Sequence, residues 1–557
     1  MRCLTRHGSD RPSLSLSLIG FGHSALALVL GCLAPSQGLA QENLGNLTNF
    51  NYWQNLCTLQ IQNAQYAEAR AACEKAIELR PQEADLWTAH SGLLLELDQY
   101  SEAIAATEQA LTLNPENFLA LLNQCEAYFE LGQLDQAQAS CNQALEMDQS
   151  WGNRNAATAR LYQGRILAAQ QDYEAALVAY ERALLENRGD AEVLTYRCAT
   201  YLNWGRFNQA VDSCKAALAG DGEWGSARPA LAWYYQGLAH RGQEDFEGAI
   251  AAFDASLRLD ANAASAWMEQ GNTLALLNRY REALVAYERA AALEPTLAAR
   301  LGQCAMLNKT GQYSAALTAC EAALTAKDSE LGIEQAKVLS QQAQAFAGLG
   351  QYPQALAAID RALGLAPDYA EAWNNRGAVL TYLERWQEAV TALQQAAELD
   401  PGYASPWANL GRVQRMLGQY TAAIAAYDEA LERSPEDAEL WANRSAVQWH
   451  LAQHEAALTS ADRAISLNER SYLGWYNRAT ALVSLERYRE AGRAYQQAIR
   501  LEPDSADAWT GMGIALLRLQ RYDEARGVLA RALMLNPQQI AAQRAWQSLP
   551  TASPANR

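Results

Sequence analysis

Apolar residues recur at steps of three and four along most of the chain, which is the spacing of one face of an α-helix. The stretch AWNNRGAVLTYLERWQEAVTALQQAAELDP, residues 372–401, shows this pattern with one break near LERW. The break predicts a turn between two helices. The proline at the end, followed by Gly, Asp or Glu in different copies, predicts where the second helix stops. The pattern therefore predicts an all-α chain built from helix–turn–helix units.

The pattern repeats at intervals of 34 residues. Tryptophans follow this interval at Trp373, Trp407, Trp441, Trp475 and Trp509. Prolines follow it within three groups: Pro81 and Pro115; Pro367, Pro401 and Pro435; Pro503 and Pro537. We number each unit so that its terminal proline is position 32, and this gives fourteen units, repeats 1 to 14. Such a period indicates a repeat protein, in which each unit packs on its neighbours.

Small residues occupy fixed positions in the repeats. Position 20 is alanine in all fourteen, from Ala69 to Ala525, and position 27 is alanine in thirteen and Ser256 in the other. Position 8 holds only Gly, Ala, Ser or Cys, and position 4 is tryptophan in nine repeats. Small side chains let helices approach closely, and the tryptophan fills the space beside them. These residues resemble the tetratricopeptide repeat over about residues 50–539.

The resemblance implies an all-α fold, a right-handed superhelical solenoid of about fourteen helix–turn–helix repeats. Residues 41–49 then form an N-terminal lead-in. Residues 540–549, IAAQRAWQSL, are predicted to form a capping helix over the exposed apolar edge of the last repeat. Residues 550–557 are predicted to be a disordered tail.

Five extra residues enter before repeats 4, 6 and 9, and each insertion follows a repeat with two cysteines. The insertions share an Asp, then a Trp or Leu, then a Gly: Asp148-Trp151-Gly152, Asp221-Trp224-Gly225 and Asp328-Leu331-Gly332. They are either duplicated loops without a role, or added segments that shape the local superhelix or contact a partner.

The first forty residues differ from the rest. Three arginines precede an apolar stretch at residues 14–33, and the small residues Gly38 and Ala40 follow. We therefore predict a signal peptide, residues 1–40, cleaved after Ala40. A membrane anchor is one alternative. The sequence VLGC, which ends at Cys32, resembles a weak bacterial lipobox and offers a second, so we expect membrane association only if Cys32 is lipidated.

The formal net charge is −18, and removal of the basic leader, which carries +2, leaves −20. This charge argues against nucleic acid as the main partner, and against simple attraction to anionic lipid. Catalytic motifs such as G-x-S-x-G, H-E-x-x-H and the P-loop are missing from the sequence. We predict no enzyme activity, no cofactor, no small-molecule substrate and no metal, including at His450 and His454.

The resemblance implies that the first helix of each repeat lines a concave groove, with position 6 facing it. Asparagine or tyrosine occupies this position in nine repeats: Asn55, Asn123, Tyr162, Tyr196, Tyr235, Asn375, Asn409, Asn443 and Asn477. An asparagine row could clamp a peptide backbone through its donors and acceptors, as in the repeat region of O-GlcNAc transferases. Tyrosines supply amphipathic contact area. Alternatively, the asparagines are exposed to water and the tyrosines pack on neighbouring helices.

Four repeats carry cysteines at positions 8 and 24, which in this family face each other across the helical hairpin. The pairs are Cys57 and Cys73, Cys125 and Cys141, Cys198 and Cys214, and Cys304 and Cys320. We predict four disulfides, because the leader directs the chain to an oxidising compartment and no other cysteine follows Ala40. Buried free thiols are the alternative, whereas two thiolates alone would half-fill the coordination shell of a metal.

The repeats and the leader together predict an exported, non-catalytic scaffold that binds proteins or extended peptides in its groove. We expect a periplasmic, extracellular or lumenal location. One alternative is a structural assembly or export factor of the cell envelope, for polysaccharide, pilus or outer-membrane components. Another is an accessory subunit of an envelope enzyme.

Overall fold

The computed structural model describes residues 49–147, 152–185, 187–326 and 332–550, and of residues 152–155 the backbone alone. The predicted signal peptide, Cys32, the lead-in before residue 49 and the tail after residue 550 lie outside the described residues. The same holds for parts of the first and third insertions.

The described residues form twenty-nine α-helices and no strand, and they divide into two compact units, one ending at Thr273 and one beginning at Leu274. The helices that begin in the first unit are α1 (Phe50–Gln62), α2 (Tyr66–Leu79), α3 (Ala84–Glu96), α4 (Tyr100–Leu113), α5 (Phe118–Glu130), α6 (Leu134–Glu146), α7 (Gly152–Ala169), α8 (Tyr173–Ala183), α9 (Ala191–Asn203), α10 (Phe207–Leu218), α11 (Pro229–Gly242), α12 (Phe246–Leu259) and α13 (Ala264–Leu276). Those of the second unit are α14 (Tyr280–Leu293), α15 (Leu297–Lys309), α16 (Tyr313–Leu324), α17 (Ile333–Gly348), α18 (Tyr352–Leu365), α19 (Ala370–Tyr382), α20 (Trp386–Leu399), α21 (Ala404–Met416), α22 (Tyr420–Arg433), α23 (Ala438–His450), α24 (His454–Leu467), α25 (Tyr472–Ser484), α26 (Tyr488–Leu501), α27 (Ala506–Arg518), α28 (Tyr522–Leu535) and α29 (Ile540–Gln547). Odd-numbered helices up to α27 are the first helices of repeats 1 to 14, and even-numbered ones are the second helices.

The turn between the two helices of a repeat always has the same backbone conformation. Position 15 has a positive φ in all fourteen repeats, for example 57° at Asp98 and 72° at Gly132. This left-handed residue ends the first helix and lets the chain reverse. Only five of the fourteen residues are glycine, so the other nine adopt a conformation that disfavours a side chain.

Small side chains lie where the helices of a repeat touch, as predicted. The position 20 alanine is fully buried in every repeat, from Ala69 to Ala525. Position 8 faces position 24, and a Cβ added to Gly377 would lie 2.4 Å from the Cγ atom of Leu393. In this repeat the glycine at position 8 therefore makes room for the leucine at position 24, whereas repeat 13 places Ala479 and Tyr495 at these two positions.

The position 4 tryptophan joins six of the repeats to the one before. In these repeats its indole Nε1 donates to the backbone carbonyl six residues earlier, at position 32 of the preceding repeat. The bonds with their distances are Trp87 to Pro81, 2.9 Å; Trp267 to Ala261, 3.0 Å; Trp373 to Pro367, 2.8 Å; Trp441 to Pro435, 2.9 Å; Trp475 to Glu469, 2.9 Å; and Trp509 to Pro503, 2.8 Å. Each such bond contributes about 1 kcal/mol to stability.

The final helix, α29, continues this arrangement beyond repeat 14. It ends at Gln547, two residues before the predicted end of the capping helix. Gln543 takes the place of the tryptophan, and its Nε2 donates to the carbonyl of Pro537 over 2.7 Å. Ala542 and Ala545 are buried, whereas Trp546 is partly exposed.

Candidate protein-binding surface

Four of the six predicted groove asparagines donate hydrogen bonds to the repeat before their own. Asn123 Nδ2 donates to Ser91 Oγ over 2.9 Å, Asn375 to Ser340 Oγ over 2.8 Å, Asn409 to Asn374 Oδ1 over 2.9 Å, and Asn477 to the Ala442 carbonyl over 2.7 Å. These bonds run between the first helices of consecutive repeats. The asparagine row is therefore a structural link, and part of its donor capacity is already used inside the protein.

The other two asparagines differ. Asn55 lies in repeat 1 and is exposed, and Asn443 is half-buried and makes no hydrogen bond to the part of the chain that the structure describes. The amide oxygens of Asn375 and Asn477 likewise accept no bond from the described residues. The acceptor atoms of the row are thus more available to a ligand than its donors.

Arginine at position 7, which the sequence prediction did not include, strengthens the same joints. Its Nε atom pairs with an Asp at position 25 of the preceding repeat: Arg376 with Asp360 at 3.0 Å, Arg444 with Asp428 at 2.7 Å, and Arg478 with Asp462 at 2.6 Å. Each guanidinium also lies over the tryptophan of its own repeat, 5.6–5.9 Å from the ring centroid. The recurring separation of 16 residues between Asp and Arg was the sequence signal for these pairs.

The three predicted groove tyrosines are buried to different extents in the first unit. Tyr162 is only 5% exposed, and its ring lies against Phe129 with 6.0 Å between ring centroids. Tyr196 and Tyr235 are half-buried. Burial raises the pKa of Tyr162 and of Tyr235 above the ordinary value for tyrosine. Tyr196 and Tyr235 are therefore the ones that offer surface to a partner.

A single arginine lies against two of these tyrosines, Tyr162 and Tyr196. The guanidinium carbon of Arg165, on α7, lies 4.4 Å from the ring centroid of Tyr196, 4.8 Å from that of Tyr162 and 4.5 Å from that of Phe129. Its Nη2 pairs with Glu130 at 3.2 Å, whereas its enclosed Nη1 has no hydrogen-bond partner among the described residues. Sequence reasoning missed Arg165, which lies at position 9 of repeat 4.

Glu126 brings a second carboxyl group to this cluster from α5. Burial raises its pKa, and this effect outweighs the hydrogen bond from Tyr162 and the attraction of Arg165, which lower it. For Arg165 burial alone would lower the pKa, but Tyr196, Tyr162 and Glu130 outweigh it and the pKa lies above its ordinary value. Arg165 therefore stays charged and fixed in orientation.

The second insertion docks beside Tyr196. Ser226 donates from its backbone N–H and its hydroxyl to Glu192 Oε1, over 2.8 and 2.6 Å, and its Oγ lies 2.9 Å from the Tyr196 hydroxyl. Gly225 has φ +49°, and a Cβ there would overlap the Glu192 carboxylate. The insertion therefore lies against positions 2 and 6 of repeat 5.

Each predicted cysteine pair forms a disulfide within one repeat. The Sγ–Sγ distances are 2.09 Å for Cys57–Cys73, 1.99 Å for Cys125–Cys141, 2.09 Å for Cys198–Cys214 and 2.02 Å for Cys304–Cys320. All eight residues are at most 1% exposed. The disulfide occupies the site where other repeats place a glycine against a large ring, as at Gly164 and Tyr180.

The described residues contain no cluster of three or more His, Cys, Asp and Glu side chains arranged to hold a metal ion. His450 stacks on Tyr420, with 4.8 Å between ring centroids. Gly511 and Gly513 are packing positions, because a Cβ on them would lie 2.2 Å from Tyr495 and 2.5 Å from Leu529. None of the described helices combines the length and apolar character needed to cross a membrane.

Comparison with known proteins gives matches to models of one repeat family and to one curated relative. A model described as tetratricopeptide repeat matches residues 58–118, 200–264, 236–298, 409–471 and 476–540, and two related models with that description match 368–436 and 94–161. Hsp70-Hsp90 organizing protein 1 of Glycine max is 26% identical over 226 residues, or 39% of this chain and 37% of that protein. The match thus spans little more than a third of that relative's length.

Two solved structures align with this chain at low identity. The crystal structure of the APC/C hetero-tetramer Cut9–Hcn1 aligns with 93% of this chain and 99% of that chain, at 15% identity and a TM-score of 0.44. The crystal structure of YrrB, a TPR protein with an unusual peptide-binding site, aligns with 34% of this chain and 99% of that chain, at 22% identity and a TM-score of 0.31.

Proposed function

Because the chain belongs to the tetratricopeptide repeat family, we propose that it is a non-catalytic scaffold that binds a protein or an extended peptide along its first helices. The observation that carries this proposal is the arrangement of Arg165 with Tyr196 and Tyr235 in the first unit. The name of the soybean relative, an organizing protein for two chaperones, is in keeping with a binding role.

The chemistry of this arrangement suits a polypeptide. Arg165 is held between aromatic rings and by Glu130, and its side chain is 12% exposed, so little conformational entropy is lost when a ligand contacts it. A peptide carbonyl is a suitable acceptor, because Glu130 already balances the charge of the guanidinium. Tyr196 and Tyr235 add amphipathic contact area at low entropy cost. Ser226 places the second insertion at the edge of the same surface.

Photo-crosslinking tests the proposal. A photoreactive phenylalanine analogue is placed at Tyr196 or at Tyr235 in the full chain, in cells of the source organism. The matched control is Glu181, an exposed residue of the second helix α8. We expect discrete protein adducts from Tyr196 and Tyr235 only, and weaker adducts when Arg165→Met removes the donor. Equal yields from Glu181, or no protein adduct from either tyrosine, would disprove the proposal.

We also propose that the protein is exported to an oxidising compartment. A more specific form of this proposal is that it acts there as an assembly factor of the cell envelope. It is supported by the four cysteine pairs and by the character of residues 1–40. Two measurements on protein purified from its source test it. Intact mass should show a start at residue 41, or a lipid on Cys32 if the envelope version holds. Thiol labelling after denaturation without reductant should leave the eight paired cysteines unmodified, and an unprocessed N-terminus with eight reactive thiols would refute export.

A further inference from the structure

The second unit exposes large side chains at the ends of three consecutive first helices. Tyr382 ends α19 and is 58% exposed, Met416 ends α21 and is 57% exposed, and Trp449, next to the last residue of α23, is 37% exposed. Tyr382 and Met416 hold the same repeat position, and Trp449 lies one residue before it. They therefore form one strip across repeats 10 to 12, which we call the apolar shelf.

The shelf is fixed in place by contacts between repeats. The ring of Tyr382 stacks on Tyr352, with 5.0 Å between centroids and 5° between planes. Trp449 lies edge-on to His450, and its Nε1 donates to Ser484 Oγ over 2.8 Å. An ordered aromatic surface loses little entropy when a partner covers it.

Two arginines lie beside the shelf on α21. Arg412 and Arg415 precede Met416 by four residues and one residue, and neither forms an ion pair with any residue that the structure describes. Arg412 Nη2 donates to Asn409 Oδ1 over 3.1 Å, while its enclosed Nε has no acceptor there. In a chain of net charge −18, these two cations stand next to exposed apolar surface, and the carboxylate of Glu439 acts with them on Tyr427 but forms no ion pair with either.

His450 links the arginines to the shelf. It stacks on Tyr420, and its pKa is lowered by burial and by the positive charge of Arg415. The groups that face it are thus Arg415, Tyr420 and Trp449, none of them acidic. Arg415 thus sets a positive potential at His450.

We propose that Arg412, Arg415 and the apolar shelf bind an acidic–apolar segment of a partner polypeptide. Arg412 and Arg415 take a carboxylate, and Tyr382, Met416 and Trp449 cover a bulky apolar side chain next to it. Guanidinium groups form their strongest hydrogen bonds with ionised oxygens, which selects an acidic residue. Two cations on an acidic chain are too few for a nucleic-acid or membrane surface. This inference deepens the proposed function, on which it rests for the occupant being a polypeptide.

A display experiment tests it with the full chain. A library of random twelve-residue peptides is selected on the wild-type protein, after subtraction on Arg412→Glu/Arg415→Glu. The control subtraction uses Arg489→Glu/Arg493→Glu, which changes the net charge equally on the exposed side of the second helix α26. Unchanged helical circular dichroism and thermal melting qualify each variant as folded.

We expect the first subtraction to leave peptides with Asp or Glu within about three residues of a bulky apolar residue. Their affinity should fall about tenfold or more with Arg412→Ala/Arg415→Ala. It should also fall with Met416→Ser, but not with the control pair. A pool without acidic enrichment, or affinities indifferent to these changes, overturns the inference. Peptides that depend on Tyr196 and Tyr235 alone would uphold the proposed function and reject this site. Loss of vesicle binding (phosphatidylserine in phosphatidylcholine) in the arginine variants would assign the surface to lipid and overturn it as well.

Discussion

The indole of Trp373 donates a 2.8 Å hydrogen bond to the carbonyl of Pro367, at position 32 of the preceding repeat. Trp407, at the same position of the next repeat, makes no such bond, and its buried Nε1 has no acceptor among the described residues. The carbonyl of Pro401 is instead taken by the guanidinium of Arg433. Two tryptophans in equivalent positions thus differ by one hydrogen bond.

Trp373→Phe should weaken the joint between repeats 9 and 10 by about 1 kcal/mol more than Trp407→Phe weakens its own. Both changes remove similar ring area, but only the first removes a hydrogen bond. Hydrogen exchange measured on peptides covering residues 367–382 and 401–416 reports each joint separately. Equal effects of the two changes would show that the bond contributes nothing.

Asn375→Ala should destabilise its joint by about 1–2 kcal/mol, because it removes the donor to the fully buried hydroxyl of Ser340. Asn443→Ala is the matched control, since Asn443 makes no hydrogen bond to the described residues. Hydrogen exchange without any ligand separates a structural role from a purely recognition role. If Asn375→Ala leaves exchange in α17 and α19 unchanged, the asparagine row exists for the ligand alone.

Ala423→Leu should destabilise repeat 11 by roughly 1–3 kcal/mol, because Ala423 is fully buried between the paired helices and extra methyl groups overpack the contact. Ala425, two residues later on α22, is exposed. Ala425→Leu should be neutral within about 0.5 kcal/mol. Urea unfolding followed by circular dichroism compares the two, and similar midpoints would show that the helices can separate without cost.

Glu126→Gln should stabilise the first unit near neutral pH. The pKa of Glu126 is raised above its ordinary 4.5, so the folded chain binds its proton more tightly than the unfolded chain does. That contribution is fully present below pH 4.5 and is lost as the pH rises through the folded-state pKa. The melting temperature of the variant should therefore exceed that of the wild type at pH 7.5, and the difference should shrink toward pH 4.5.

Glu130 lies on the same helix, and its replacement by glutamine should lower stability instead of raising it. Glu130→Gln breaks the 3.2 Å ion pair with Arg165 and leaves a mostly buried charge, at a cost of about 1–3 kcal/mol. If both glutamate variants lower the melting temperature at pH 7.5, Glu126 is not held in a desolvated site.

The fold follows from regularities that the sequence carries in every copy. A 34-residue period, alanine at position 20 and small residues at position 8 each express a contact inside one repeat or with its neighbour. Because the contact recurs fourteen times, chance variation at one copy does not hide it. The structure confirms the helix pairs, and it ends the last helix at Gln547, where fraying makes the boundary hard to read from sequence.

The binding surface was harder to predict, since equivalent positions differ in their surroundings. Tyr162 and Tyr196 hold the same position, yet Phe129 covers Tyr162 and leaves Tyr196 half-exposed. The asparagine donors are satisfied by residues 32–35 positions earlier, and only the packing register between repeats shows this. The path of the second insertion onto Glu192 depends on a loop, whose conformation the helical period does not encode.

The disulfides all close within single repeats, so every connection between repeats other than the chain itself is non-covalent. Under a pulling force, an ordinary repeat of 34 residues would extend to roughly 115 Å as it unravels. A repeat with a crosslink 16 residues apart would extend to only roughly 65 Å. Repeats 1, 3, 5 and 8 would thus act as short steps among long ones, and reducing agent would abolish this difference.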